Sequence, residues 1–160
     1  LESIAEKRKY KHELLDYFVY LLEDNPNTLH LHQEIAGYLG MDRHQLNRIY
    51  ETEDGNHVRS KSEVIICNLL HNAGIKYKYE EKLYYGNAGK WIEPDFTIEK
   101  SNGGKVFWEH VGMLGKEDYD SNWLHKLDVY EEYYCGQMVK TYESGVLSKD
   151  AKQIIETKLL

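Results

Sequence analysis

Three acidic residues stand inside segments that are otherwise apolar or aromatic, and they constrain the fold more than any other feature. Glu63 lies in HVRSKSEVIICNLL, Asp95 in WIEPDFTIEK and Glu109 in KVFWEHVGML. A carboxylate in such a segment is costly to bury unless a cation or a hydrogen-bonding partner compensates it. A fold that buries these acids must therefore compensate each of them. A helix-borne acid, an acid following a proline at the entry to a strand, and an acid inside the next strand can converge on one divalent cation.

The remaining composition sets bounds. A chain of 160 residues can bury one domain core with a small appendage. Hydrophobic residues make up 41% and charged residues 29%, as expected of a water-soluble globular chain. Tyrosine is over-used, with 14 against 3 phenylalanines. Its apolar face and polar tip suit grooves and interfaces as well as strand pairs and core edges. The net charge of −7 argues against tight nucleic-acid binding, except that acids clustered around a metal invert their own field. Basic residues are uneven, in KRKYKHE, DRHQLNR and VRSKSE. No apolar run is long enough to span a bilayer, and the start has no signal-peptide core, so a cytoplasmic location is expected. The first residue is Leu1, which suits a piece of a longer protein. Cys67 and Cys135 lack metal-site spacing and read as reduced packing residues.

The hydrophobic pattern predicts a long helix over 2–23, closed by Asp24-Asn25-Pro26-Asn27, then short helices over 29–39 and 43–51. A polar loop follows at 52–56. Ser60 and Glu63 have capping-box spacing ahead of the apolar run Val64, Ile65, Ile66, Leu69, Leu70, and Gly74 ends that helix. Strands are predicted over 76–85, 91–99 and 105–111, a helix over 119–134, a strand over 137–143 and a helix over 148–158. This order gives an α/β layered domain with a mixed sheet flanked by helices over 53–160, preceded by a helical segment over 1–52.

Phosphodiester hydrolysis needs an attacking water near ionisation and neutralisation of charge in the transition state. Mg²⁺ or Mn²⁺ held by carboxylate oxygens supplies both. Asp95 and Glu109 are separated by the length of two short strands and a turn, which would set them side by side, and the backbone carbonyl of His110 is a candidate further ligand. The His110 side chain should point to the opposite strand face from Glu109. Glu80 or Glu81 would lie near the same site. Arg59 and Lys61 are candidate phosphate contacts, with solvated surface charge as the alternative.

These residues resemble the PD-(D/E)xK nuclease superfamily, through Glu63 on the first core helix, Pro94-Asp95, and Glu109 in the following strand. They are similar in particular to a bacterial group with VRSKSE, YxYE, PDFTI, WEHxGM, a lysine in an aromatic helix and a TYES-like strand. Here those pieces are 58–63, Tyr77 to Glu80, 94–98, 108–113, Lys126 and 141–144. The resemblance covers about 52–160 and implies a restriction-endonuclease-like core that cleaves DNA with Mg²⁺ or Mn²⁺. It also implies metal binding by Glu63, Asp95 and Glu109. The superfamily pattern places a lysine two residues after the strand acid, and that position holds Val111. Such a lysine can move to a neighbouring helix while keeping its place in space. Lys126 is the candidate, sharing a helical row with Tyr119, Trp123 and Tyr130; a chance surface lysine is the competing reading.

The segment EIAGYLGMDRHQLNRIYE has helix-turn-helix spacing, whose second helix would display Arg43, His44, Gln45, Asn47 and Arg48 toward DNA. Helical hairpins that never touch DNA share this pattern. His30 and His32 are an i, i+2 pair, so on a helix they face apart, against zinc. No P-loop or dinucleotide glycine pattern occurs, so any helicase activity would belong to a partner or to another domain. The expectation is a Mg²⁺-dependent DNA nuclease. Two alternatives stand beside it: an inactive nuclease fold that binds DNA or a partner protein, and a regulator driven by the amino-terminal helices.

Overall fold

The structure is a computed structural model in which residues 48–112 and 114–160 are described. The helices expected over 2–23 and 29–39, the pair His30 and His32, and the helix-turn-helix with Arg43 lie outside the described residues. The chain divides into two units, 1–64 and 65–160.

In the first unit, β1 (Tyr50–Glu51) pairs antiparallel with β2 (His57–Val58), with Tyr50 opposite Val58. The helix expected over 43–51 therefore does not run to its predicted end. The cause is the turn that follows. Thr52 donates its N–H to the Asn56 carbonyl at 2.9 Å, and the Asn56 N–H returns to the Thr52 hydroxyl at 3.0 Å. The Thr52 hydroxyl also bonds the Asp54 carboxylate. Short polar side chains that bond nearby backbone compete with helix in this way. Past β2, the Ser60 hydroxyl accepts the Glu63 N–H at 3.1 Å and bonds the Glu63 carboxylate at 2.7 Å. That cap starts α1 (Lys61–Asn72) where the sequence predicts.

α1 ends as expected at Gly74, whose φ of +71° suits glycine. Gly74 N–H bonds the His71 carbonyl and Ile75 N–H bonds that of Leu70, which satisfies the last helical carbonyls.

In the second unit, the predicted strand 76–85 is two strands, β3 (Tyr77–Tyr79) and β4 (Leu83–Tyr85). The predicted strand 91–99 is likewise β5 (Lys90–Ile92) and β6 (Phe96–Glu99). The first break is at Glu80, which adopts φ +49°, and the second is at Glu93-Pro94-Asp95, where proline offers no N–H to a ladder. The two breaks lie side by side, since Glu80 N–H bonds the Asp95 carbonyl at 3.1 Å. Between them β4 and β5 form a separate hairpin, with Tyr84 opposite Trp91.

The central sheet adds β7 (Lys105–Val111) and β8 (Met138–Tyr142) in the order β3-β6-β7-β8. The first three strands are antiparallel, and β8 runs parallel to β7 after α2 (Glu117–Tyr133). A parallel neighbour requires such a crossover. The domain is thus mixed α/β, as the sequence predicts. Side chains on β7 alternate between two faces. On one, Phe107 packs with Ile92 and with Val129 and Tyr130 of α2. On the other, Trp108 meets Phe96 edge-on. α3 (Leu147–Ile154) packs on β8 and continues as a π-helical turn, Ile155–Leu159. Among the described residues, no helix is long and apolar enough to cross a membrane.

Candidate metal centre and its lysine

The pairing of β6 with β7 sets Phe96 opposite Trp108. One residue further, the same register sets Asp95 opposite Glu109, and the pairing of Tyr79 with Phe96 likewise carries Glu80 to Asp95. The two strand breaks and the middle of β7 thus line up three carboxylates in one row across the sheet. Neighbouring cross-strand positions share a face and lie within side-chain reach. None of these three residues, nor Glu63, is more than 9% exposed.

Glu109 is the most buried of them. Lys126 donates to both of its oxygens, at 3.1 and 3.0 Å, and Tyr130 donates to Oε1 at 2.7 Å. Lys126 also donates to the Glu93 carbonyl at 2.7 Å. Burial pushes the Glu109 carboxyl up to about 8; the neighbouring Asp95 charge adds to this, while Lys126 and Tyr130 pull it back. Burial likewise raises the Tyr130 phenol, helped by the charge of Glu109, so that hydroxyl remains a donor at any working pH.

Asp95 accepts the backbone N–H of His110 at 2.7 Å. The structure thus sets the backbone N–H of His110 against this acid. The imidazole lies on the opposite face, as the strand period predicts. Its Nδ1 is 2.9 Å from the Thr141 hydroxyl, which also receives the Trp108 indole N–H at 3.1 Å. Its Nε2 is 2.9 Å from Glu143.

A carboxylate oxygen from each of Glu63, Glu80 and Asp95 lies within 4.8 Å of the others, a grouping that could hold a metal ion. Like-charged carboxylates this close and this buried need compensating charge or hydrogen bonds, and an all-oxygen donor set suits Mg²⁺ or Mn²⁺ rather than a thiophilic metal. Two of the three expected ligands, Glu63 and Asp95, belong to this group. The third member is Glu80, while Glu109 is turned to Lys126 and Tyr130.

Lys126 reaches the acid that the sequence reading assigns to it, from a different element. Tyr119, Trp123, Lys126 and Tyr130 share one face of α2, and the Tyr119 hydroxyl accepts the Gly112 N–H at 3.2 Å. Val111, the position two residues after Glu109, is buried. Arg59 and Lys61 are exposed just before and at the start of α1, and Arg48 is half-buried ahead of β1. Sequence reasoning did not assign Tyr130 as a donor to Glu109. Its spacing of four from Lys126 on one helix was the available signal.

No family model matches this chain, and no solved structure matches it. A stretch of 73 residues is 41% identical to a protein of Methanocaldococcus jannaschii described as uncharacterised. That stretch is 46% of this chain, which spans about 6% of the length of that relative.

Proposed function

We propose that this chain is a Mg²⁺- or Mn²⁺-dependent nuclease domain with a restriction-endonuclease-like core of the PD-(D/E)xK type. The single observation that carries the reading is Lys126 bonded to both oxygens of Glu109, next to the buried acids Asp95 and Glu80. A cation bound by Asp95, Glu80 and Glu63, with Glu109 adjacent, would supply charge neutralisation and a more acidic water for phosphodiester hydrolysis. Lys126 contributes a fixed positive charge from α2 where the superfamily pattern has a strand lysine. Tyr130 holds the Glu109 carboxylate from the other side, so the ammonium and the acid keep one geometry. The Asp95 carboxylate accepts the His110 N–H, which orients it within the acidic group.

A second reading, an inactive fold that binds DNA or a partner protein, is favoured by one observation. The Lys126 ammonium already bonds Glu93 and both Glu109 oxygens. Cleavage of supercoiled plasmid and of single-stranded DNA in Mg²⁺ or Mn²⁺ separates the readings. Metal-dependent cutting that disappears in Asp95→Ala supports the nuclease. DNA binding without cutting in either metal favours the inactive fold.

A further inference from the structure

We infer that the β4–β5 hairpin is a stacking platform for a single-stranded nucleic acid that leads into the acidic site. This inference rests on the nuclease reading for its substrate class and adds where, and in which strandedness, the substrate is held. Most large aromatic side chains of the second unit are buried or half-buried, but Tyr84 is 58% and Trp91 44% exposed. They are direct cross-strand partners, so both rings stand on the outward face of one hairpin. The inward face is used differently. Leu83, Tyr85 and Ile92 pack with Phe107, Val129 and Tyr130.

The hairpin is fixed to α2 at several points. Tyr134 donates its hydroxyl to the Tyr84 carbonyl, the Tyr85 hydroxyl lies 3.2 Å from His125 Nε2, and the Tyr85 ring meets that of Tyr133 at 5.4 Å. An aromatic pair held on a rigid ribbon loses little freedom on binding a planar ligand. Charge indicates what that ligand is. The Lys82 ammonium sits over the Trp91 ring, 4.5 Å from its centre. Aromatic faces beside a cation suit a base followed by its phosphate, and stacking is open to any base. A paired duplex offers no free base face, which selects a single strand.

Continuity with the site supplies the direction. Trp91, Ile92, Glu93, Pro94 and Asp95 are consecutive, and the Glu93 carbonyl is the group that Lys126 bonds. Four extended residues span at most ~13 Å, so a short oligonucleotide can stack on Trp91 and Tyr84 and carry a neighbouring phosphodiester toward Asp95.

The test is fluorescence anisotropy of a fluorescein-labelled oligo(dT) with the full chain in chelator, where no cleavage occurs. The expected result is saturable binding that survives Asp95→Ala. Trp91→Ala and Tyr84→Ala should each weaken it on the order of ten-fold, and Trp91→Phe should retain most of it. Lys82→Ala should lower the salt dependence by about one counterion. Circular dichroism of each variant checks that the hairpin still folds. The inference is overturned if oligo(dT) fails to bind, if both alanine variants bind like wild type, or if a duplex of equal length competes equally. It is also overturned if the pair instead mediates self-association that Trp91→Ala dissolves. Cleavage with unchanged binding in the alanine variants sinks the platform alone; platform binding without cleavage in Mg²⁺ or Mn²⁺ sinks the nuclease alone.

Discussion

The ionisation of Glu109 decides how the site behaves without metal. Its carboxyl stands at about 8 in the folded chain against an ordinary value of 4.5. A raised carboxyl value means that the folded state keeps a proton the unfolded chain releases. The associated stability is fully present below the ordinary value and is lost as pH rises through the folded value. The metal-free protein should therefore lose stability between about pH 5 and pH 9, by at most a few kcal/mol. In Glu109→Gln that slope should flatten, which urea unfolding in chelator at several pH values would measure; an unchanged slope would place the titrating group elsewhere. On the proposed nuclease reading, Lys126→Met should cost roughly 100-fold or more in cleavage rate, since it would remove a fixed charge beside the reacting phosphate. A variant that cleaves like wild type would make Lys126 a structural partner of Glu109 and nothing more. At this scale the sequence was most legible where an acid interrupts an apolar run: Asp95 and Glu109 both stood out. Glu80 was narrowed only to Glu80 or Glu81; the structure separates them, since Glu80 is buried at φ +49° while Glu81 pairs with Lys78 at the surface. Tyr130 was visible as part of a helical row, but its bond to Glu109 depends on how α2 crosses β7.

At the scale of elements, the breaks in two predicted strands do the positioning. Glu80 in the left-handed region costs a non-glycine residue of order 1 kcal/mol, and it also places a carboxylate against Asp95. Glu80→Asn keeps a residue that tolerates this conformation and removes a charge from the crowded row. It should weaken the thermal stabilisation that Mn²⁺ gives the protein, as differential scanning fluorimetry with and without the ion would show. An unchanged response to Mn²⁺ would remove Glu80 from the ligand set. Behind the row, Trp108, Thr141 and His110 form a buried hydrogen-bonded chain on the other face of the sheet, which ends at the exposed Glu143. Thr141→Val leaves an indole N–H and an imidazole nitrogen unpaired, so a loss of about 1–3 kcal/mol in chemical unfolding is expected; no loss would mean that water replaces the hydroxyl. Element types were readable from periodicity for α1, β7, α2 and β8. The splits at Glu80 and at Pro94 were not, since each half alternates like the strand it was assigned to. The β1–β2 hairpin was missed because its strands are two residues long and the first falls at the end of the helix predicted over 43–51.

Across the whole molecule, the proposed account is that several buried acids are tolerated because a cation joins them when the domain works. Binding to the folded state alone would stabilise it by about 2.7 kcal/mol at a hundred-fold excess over the dissociation constant. The net charge of −7 then reflects in part a site designed to be neutralised, rather than a surface that repels nucleic acid. The mixed α/β character followed from element order, whereas the strand order and the row of acids required the register. The most direct measurement is a calorimetric titration of Mn²⁺ into the metal-free chain, compared with Asp95→Asn and Glu80→Gln. The account predicts saturable binding in the wild type that is weakened at least ten-fold in both variants. Absence of saturable binding, or equal affinity in all three proteins, would contradict it.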